Sequence, residues 1–245
     1  MKPLEKAQFI SNWIKDYVEK MPSKAQSLII GISGGIDSSV SSTLSAMTGI
    51  KTIVLSMPIK QKLSQHDLSL KHQEWLVKNF DNVEAHTLNL DKLFETFEST
   101  LSNFDSELGM ANSRARIRMT TLYQVAAANK GIVVGTGNKV EDFGVGFYTK
   151  YGDGGVDISP IADCNKSEVW EIGKSINILQ EIIEAAPTDG LWDDGRTDEG
   201  QLGLKYEELE EAMNNVNSIN REKYEKIRKM NLHKMEPIPV CKIPN

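Results

Sequence analysis

The chain has 245 residues, of which 40% are hydrophobic and 25% are charged. This composition is typical of a globular protein with one large domain or two small ones, and it excludes disordered and fibrous classes. With 34 acidic and 28 basic side chains the formal net charge is −6. That charge argues against nucleic acid as a partner, because such binding requires basic groups that neutralise phosphates. A small anionic ligand is compatible with it if basic groups or a metal are concentrated at one site.

The sequence shows no feature of a membrane protein or a secreted protein. No apolar run approaches the roughly 20 residues of a membrane-spanning helix, so we expect no membrane association. The N-terminal segment begins with charged residues and lacks the apolar stretch of a signal peptide. The two cysteines, Cys164 and Cys241, form neither a disulfide framework nor a zinc cluster. These features predict a cytoplasmic protein.

Short apolar runs alternate with helical patterns along the first half of the chain. Apolar residues at helical spacing predict an N-terminal amphipathic helix over 4–18. The predicted strands lie at 27–32, 52–57, 83–88 and 131–135, and the helices between them end near 47, span 64–76, and cover 93–101 and 112–129. This alternation predicts an α/β fold, a Rossmann-like doubly wound parallel sheet with helices on both faces. Ligands of such folds bind at the carboxyl ends of the strands.

The first predicted strand leads into a glycine-rich loop, Ser33-Gly34-Gly35-Ile36-Asp37-Ser38. Glycines between a strand and a helix let backbone N–H groups converge on an anion, and the positive end of the helix faces the same place. The loop matches neither the Walker A pattern nor the dinucleotide fingerprint. Because a carboxylate repels phosphates unless a cation intervenes, Asp37 predicts Mg²⁺ between itself and phosphate oxygens. The glycines alone are also compatible with a tight strand–helix turn capped by an acid.

The complete pattern S-G-G-x-D-S resembles the signature of ATP pyrophosphatases, which cleave ATP between its α and β phosphates. Further segments are similar to those of one branch, the ammonia-dependent NAD synthetases. These segments are Asn112–Met119, Val134–Glu141 and Phe147–Asp157, followed by Lys166, Pro187-Thr188, Thr197–Glu199 and His233-Lys234. The resemblance covers essentially the whole chain, and the K-Y-G-D-G-G stretch within Phe147–Asp157 is highly specific.

The resemblance implies an adenine nucleotide alpha hydrolase-like fold in a single domain, 1–245. Within it we expect the phosphate-binding loop (PP-loop) at 31–38, a lid loop that contacts deamido-NAD at 142–157, and C-terminal helices at 205–231. The implied reaction is ATP-dependent amidation of deamido-NAD with ammonia through an adenylated carboxylate. It yields NAD, AMP and pyrophosphate and is the last step of NAD biosynthesis. Free ammonia is the expected donor because glutamine-dependent members carry an additional amidase domain, for which 245 residues leave no room. The sequence leaves open whether a separate glutaminase partner supplies the ammonia.

The resemblance also implies roles for individual residues. The co-substrate ATP contacts Gly31, Ile32, Ser33, Gly34, Gly35, Ile36, Asp37, Ser38, Thr136, Lys166 and Thr188. Asp37 and Glu141 bind Mg²⁺. The expected catalytic residues are Asp37, Glu141, Lys166 and Asp153, and our hypothesis for Asp153 is that it helps to hold ammonium and accepts its proton. Deamido-NAD contacts Arg116, Lys150, Asp157, His233 and Lys234.

A homodimer with the substrate site at the subunit interface is expected, because relatives bind deamido-NAD across such an interface. The apolar helices around 91–130 are the candidate surface. Their side chains exceed what one sheet face needs and include Phe94, Phe97, Leu101, Phe104, Leu122 and Tyr123.

Two departures from the family pattern are visible. The spacing from Glu141 to Lys150 is one residue longer than in some bacterial relatives, which places an extra residue within Asp142–Gly146. Arg196 stands where Gln is more common.

Two alternative functions are compatible with the loop. Another ATP pyrophosphatase with a different acceptor is disfavoured by the lack of basic charge for tRNA and by the Lys150–Asp157 segment. A non-catalytic nucleotide-binding protein of the same fold is disfavoured because Asp37, Glu141 and Lys166 are all present.

Overall fold

The computed structural model of the chain describes residues 1–60, 63–188, 190–192 and 196–244. Its elements in chain order are α1 (Pro3–Lys20), β1 (Ser27–Gly31), α2 (Ile36–Ala46), β2 (Lys51–Ser56), α3 (Leu63–Asn79), β3 (Val83–Thr87), α4 (Asp91–Thr100), α5 (Glu107–Ala128), β4 (Gly131–Val133), α6 (Lys166–Ser175), α7 (Gln180–Ile183), α8 (Asp198–Leu202), α9 (Tyr206–Asn214) and α10 (Arg221–Met235). The predicted strands and the helices between them are confirmed, with ends shifted by a few residues. The strand predicted at 131–135 is shorter, and Val134 continues it as a single parallel bridge to Ile158.

The four strands form one parallel sheet in the order β3-β2-β1-β4. Strand β1 pairs with β2 on one side and with β4 on the other, so that Leu28 lies opposite both Thr52 and Ile132. The direction of strand addition therefore reverses between β1 and β4. In doubly wound sheets the ligand crevice opens at the carboxyl ends of the strands at this switch point. The predicted fold class is confirmed.

Helices cover both faces of the sheet. Leu28 and Ile30 face a core shared with α1, α2 and α6, whereas Ile29 faces a second core shared with α4 and α5. All three side chains are fully buried. A strand buried on both faces requires an uninterrupted apolar run, and this explains the composition of β1.

The surface predicted for a subunit interface is only partly exposed. Phe94 and Leu122 are buried in the core that α4 and α5 form with the sheet, and including them was wrong because the sheet face itself uses them. Phe97 and Leu101 are half-buried. Phe104 and Tyr123 are exposed.

After β4 the chain makes a π-helical turn, Val140–Val145, that ends at Gly146 in the left-handed region with φ +66°. Helix α10 packs on this turn. The side chains of Arg228 and Asn231 donate to the backbone carbonyl oxygens of its last two residues at 2.8 and 2.9 Å. The C-terminal helices predicted at 205–231 are thus α9 and α10, and α10 fixes the π-helical turn.

The described residues include no helix that combines the length and the apolar composition needed to cross a membrane. Both cysteines are free, Cys164 buried and Cys241 exposed. Burial raises the pKa of the Cys164 thiol to about 11, so this thiol is unreactive.

Candidate active site

The loop between β1 and α2 is shaped for an anion. Gly34 adopts φ +90°, a conformation that favours glycine. Two hydroxyls hold the loop, since the Gly35 N–H donates to Ser33 Oγ at 3.2 Å and Ser38 Oγ donates to the Gly35 carbonyl at 3.0 Å. Helix α2 begins directly after the loop at Ile36. Its unpaired N–H groups and the positive end of its dipole therefore face the same space.

Lys166 lies at the centre of the site between two carboxylates. Its Nζ is 2.5 Å from Asp37 Oδ2 and 3.0 Å from Glu141 Oε1, and its side chain is only 2% exposed. Asp37 comes from the first turn of α2, Glu141 from the π-helical turn after β4, and Lys166 from the first residue of α6. The structure thus brings three of the four predicted catalytic residues together, and we call them the charged trio.

Two carboxylates share one ammonium in this trio. Burial is the main cause that raises the pKa of Asp37, and Glu141 raises it further against the lowering effect of Lys166. Burial alone would lower the pKa of Lys166, but the two carboxylates outweigh it and raise that pKa. Lys166 is therefore charged at neutral pH.

Three residues that the sequence analysis did not assign to the site support the trio. The Tyr206 hydroxyl lies 2.5 Å from Glu141 Oε1 and 3.2 Å from Asp198 Oδ2, and the Tyr206 ring centre lies 4.6 Å from the ammonium. Asn138 Nδ2 donates to Asp37 Oδ1 at 3.1 Å. Asp198 falls within a matched motif, whereas no sequence signal pointed to Tyr206, which is 65 positions from Glu141.

A cavity of about 220 Å³ adjoins the trio, and we call it the nucleotide cavity. Every residue predicted to contact ATP lines it except Gly34; these are Gly31, Ile32, Ser33, Gly35, Ile36, Asp37, Ser38, Thr136, Lys166 and Thr188. Asp153, the fourth predicted catalytic residue, also lines it, as does Asp142. Burial, followed by the charges of Glu141, Asp153 and Asp37, raises the pKa of Asp142 to about 8. The cavity is thus rich in carboxylates.

The donor set of this cavity suits magnesium bound together with a nucleotide. Among the described residues no three His, Cys, Asp or Glu side chains form a complete metal-binding group. Mg²⁺ does not need such a group, because it commonly uses one or two carboxylates, substrate phosphates and waters. Asp37 and Glu141 fit the carboxylate part of that set.

The basic residues predicted for deamido-NAD lie together outside the nucleotide cavity. Arg116 Nε donates to the Lys150 carbonyl at 3.3 Å, and Lys150 Nζ donates to the His233 carbonyl at 3.2 Å. Lys234 Nζ donates to the Tyr148 carbonyl at 2.8 Å, and the Tyr148 hydroxyl donates back to the Lys234 carbonyl at 2.5 Å. The predicted lid and helix α10 are therefore joined at this basic group.

Asp157, the acidic member of that set, lies beside a second, open pocket. The pocket has a volume of about 680 Å³ and is lined by Met119, Thr120, Tyr123, Gln124, Tyr151, Gly155 and Val156. The Tyr123 hydroxyl donates to Asp157 Oδ1 at 3.0 Å. Tyr151 has φ +65°, a strained conformation for this residue, and its ring is exposed. Met119 and Val156 line both pockets, so the two pockets share a wall.

Two further arginines of α5 have positions that the sequence analysis did not resolve. Arg118 lines the nucleotide cavity, and its Nε donates to the Met57 carbonyl at 3.0 Å. Arg114 is buried and its Nη1 donates to the Leu191 carbonyl at 2.8 Å. The matched helix motif contained Arg118, but a spacing of two residues places it on a different helix face from Arg116.

The fold and the site together define an ATP pyrophosphatase of the PP-loop type. Residues 6–243 match the model of the NAD synthase family. The NH(3)-dependent NAD(+) synthetase of Carboxydothermus hydrogenoformans is 35% identical over 84% of this chain and 83% of that protein. The enzyme of the same name from Mesoplasma florum is 36% identical over 94% of this chain and 91% of that protein. The solved structure of an NMN synthetase from Francisella tularensis matches with a TM-score of 0.89 at 32% identity, covering 100% of this chain and 99% of that one.

The chain therefore belongs to the NAD synthase family. Like its relatives it is a ligase that uses ATP as a co-substrate.

Proposed function

We propose that this chain amidates the nicotinate carboxylate of deamido-NAD with ammonia, converting ATP to AMP and pyrophosphate. The observation that carries the proposal is the Lys166 ammonium between Asp37 and Glu141 on the wall of the nucleotide cavity. A triphosphate requires a fixed cation, carboxylates suited to magnesium and an anion-binding loop. The trio and the PP-loop together supply these groups. The curated relatives support the nature of the acceptor and of the nitrogen donor.

In the first step a carboxylate oxygen of the acceptor bonds to the α-phosphorus of ATP, and pyrophosphate leaves. Because two anions must meet, the step requires local positive charge and alignment. Lys166 supplies a fixed cation, and the PP-loop with the start of α2 supplies N–H donors. Asp37 and Glu141 would hold magnesium, which neutralises phosphate charge when it is bound. Thr136 and Thr188 contribute hydroxyls from the cavity wall.

In the second step ammonium gives up one proton, and the resulting ammonia bonds to the acyl carbon. AMP leaves with the bridging oxygen, and the second proton of the nitrogen passes to the leaving phosphate or to solvent. We assign the first proton to Asp153, which lines the nucleotide cavity and whose Oδ1 accepts the Thr149 N–H at 3.0 Å. Arg116, Lys150 and the neighbouring His233 and Lys234 are the proposed contacts of the acceptor's phosphates. Asp157 and the second pocket would receive its nicotinate nucleoside.

We propose a homodimer with the acceptor pocket at its interface. The support is the set of exposed apolar side chains beside and along α5: Phe104, Leu108 and Tyr123.

Free ammonia is the proposed donor, because the relatives named as NH(3)-dependent enzymes are matched over most of their length. A cytoplasmic location agrees with the two free cysteines.

The structural comparison favours a second candidate acceptor. The Francisella tularensis protein that matches with a TM-score of 0.89 is named an NMN synthetase. A chain with that specificity would amidate nicotinate mononucleotide, which has the same carboxylate and ring but lacks the adenylyl half. The chemistry at the charged trio is the same for both acceptors, so the distinction depends on the second pocket.

One assay tests both acceptors. The chain is incubated with ATP, magnesium, ammonium and either deamido-NAD or nicotinate mononucleotide, and AMP, ADP, pyrophosphate and the amide are quantified. We expect AMP and pyrophosphate in equal amounts with NAD, and ADP in place of AMP would overturn the proposal. A higher kcat/KM for the mononucleotide would assign the second acceptor. Asp37→Asn should lower turnover by roughly 10²-fold.

A further inference from the structure

A carboxylate on α9 holds the helix turn that carries Lys166. Glu210 Oε1 accepts the Ser167 N–H at 2.8 Å, and Glu210 Oε2 accepts the Ser167 hydroxyl at 2.6 Å. Ser167 directly follows Lys166 in the first turn of α6, whereas Glu210 is 43 positions further along the chain. Glu210 does not line the nucleotide cavity, and the two steps above assign no role to it.

The first turn of α6 requires acceptors from outside its own backbone. The first N–H groups of an α-helix have no partner within the helix, so side chains or water must accept them. Glu168, inside the same turn, accepts the Asn165 N–H at 2.8 Å. Glu210 accepts the Ser167 N–H from another element, and its second oxygen fixes the hydroxyl of the same residue. These two hydrogen bonds therefore tie the position of the turn to α9.

The same face of α9 also contacts the other side of the charged trio. Tyr206 and Glu210 are one turn apart and lie on one face of the helix. The Tyr206 hydroxyl lies 2.5 Å from Glu141 Oε1, while Glu210 holds Ser167. Helix α9 thus contacts both the π-helical turn and α6, whose side chains meet where Lys166 Nζ lies 3.0 Å from Glu141 Oε1. One helix therefore sets the position of these two elements relative to each other.

We infer that Glu210 is a positioning residue for Lys166, which acts by fixing the backbone of the first turn of α6. The inference rests on the proposed function, which places the reacting phosphates of ATP beside the Lys166 ammonium. The Lys166 side chain is only 2% exposed, so its packed surroundings leave it little room to compensate for a shift of its backbone. A displacement of about 1 Å at a reacting centre can lower the rate roughly 10²-fold.

Two substitutions separate the length of the Glu210 side chain from its charge. Glu210→Gln keeps the length, and its amide can accept the Ser167 N–H and donate to the Ser167 hydroxyl. Glu210→Asp keeps the charge, but its carboxylate is one methylene too short to reach both groups. With saturating ATP, magnesium, ammonium and the better of the two acceptors, Glu210→Asp should lower kcat about tenfold. Glu210→Gln should stay within about threefold of the wild type.

The order of the two variants distinguishes positioning from other roles. A carboxylate that acts through its charge on the α6 dipole would give the reverse order and overturn the inference. Glu211→Asp is the matched control, since Glu211 follows on α9 and accepts from Asn215 Nδ2 at 2.7 Å; its kcat should be unchanged.

Denaturant unfolding of the same variants measures stability separately. A lower stability of Glu210→Asp with kcat within about threefold of the wild type would show a merely structural role and overturn the inference. The KM for ATP should change less than kcat, because the position of Lys166 matters most as pyrophosphate leaves. Equal changes in both would also contradict it. A wild-type chain that forms no AMP and no amide would instead overturn the proposed function.

Discussion

Replacing Lys166 by Met removes the one ammonium of the charged trio and keeps a side chain of similar length. At contacts of 2.5 and 3.0 Å, each ion pair is worth roughly 5–7 kcal/mol at an effective dielectric of 20. Desolvating the buried ammonium offsets several kcal/mol of that sum, and breaking a buried pair typically costs about 3–5 kcal/mol. We therefore expect Lys166→Met to lower the free energy of unfolding by about 3–5 kcal/mol, or Tm by roughly 10 °C.

Denaturant unfolding at pH 7.5 measures this loss, with Lys139→Met as the matched control. Lys139 pairs with Asp163 at 2.9 Å on the surface, and its removal should cost under about 1 kcal/mol. Excess magnesium should raise the Tm of Lys166→Met more than that of the wild type, because Asp37 and Glu141 then lack their ammonium. A loss below about 1 kcal/mol for Lys166→Met would refute the electrostatic account of the trio.

Three further substitutions test buried side chains and glycine positions of the fold. Burial lowers the pKa of His72 to about 4, below its ordinary value of about 6.5. Between these two values the unfolded chain binds more protons than the folded chain does. The free energy of unfolding should therefore fall by roughly 3 kcal/mol as the pH drops through this window. The free energy of unfolding is measured at pH 7.5 and at pH 4.5, and His72→Gln should remove most of the difference between the two values. An unchanged difference would contradict the role given to His72. Tyr206→Phe removes one of the two donors to Glu141 Oε1, the other being Lys166 Nζ, and should cost about 1.5–3 kcal/mol in denaturant unfolding. A loss under about 0.5 kcal/mol would argue against the hydrogen bond. Gly146→Ala adds a methyl 2.7 Å from Asn231 Cβ at φ +66°, whereas Gly49→Ala at φ +75° meets nothing within 4 Å. The first should therefore lower Tm more than the second, and equal Tm changes would show that backbone strain alone is responsible.

The sheet and the PP-loop could be predicted from the sequence because their signals are local. Strand β1 is a continuous apolar run between turn residues, and the glycines that follow it predict an anion-binding loop. The strand-end rule indicated where a ligand binds, and the family resemblance implied that Asp37 and Glu141 share a metal there. From the same local signals we predicted too large an exposed apolar surface on α4 and α5, because Phe94 and Leu122 belong to the core.

The rest of the site depends on contacts between distant segments. Tyr206 reaches Glu141 only because α9 packs on the π-helical turn. That turn itself has no periodic sequence pattern, so the position of Asp142 in the cavity could not be predicted. Likewise, Lys150 and Lys234 were expected at the acceptor, but only the structure shows their amines on backbone carbonyls.

The central claim is that the acceptor carboxylate attacks the α-phosphorus of ATP beside Lys166. It is tested most directly with an acceptor in which both carboxylate oxygens are ¹⁸O, followed by mass spectrometry of the nucleotide and phosphate products. The account predicts one ¹⁸O atom in each AMP and none in pyrophosphate, because AMP leaves with the bridging oxygen. Label in inorganic phosphate, with ADP as the nucleotide product, would contradict it.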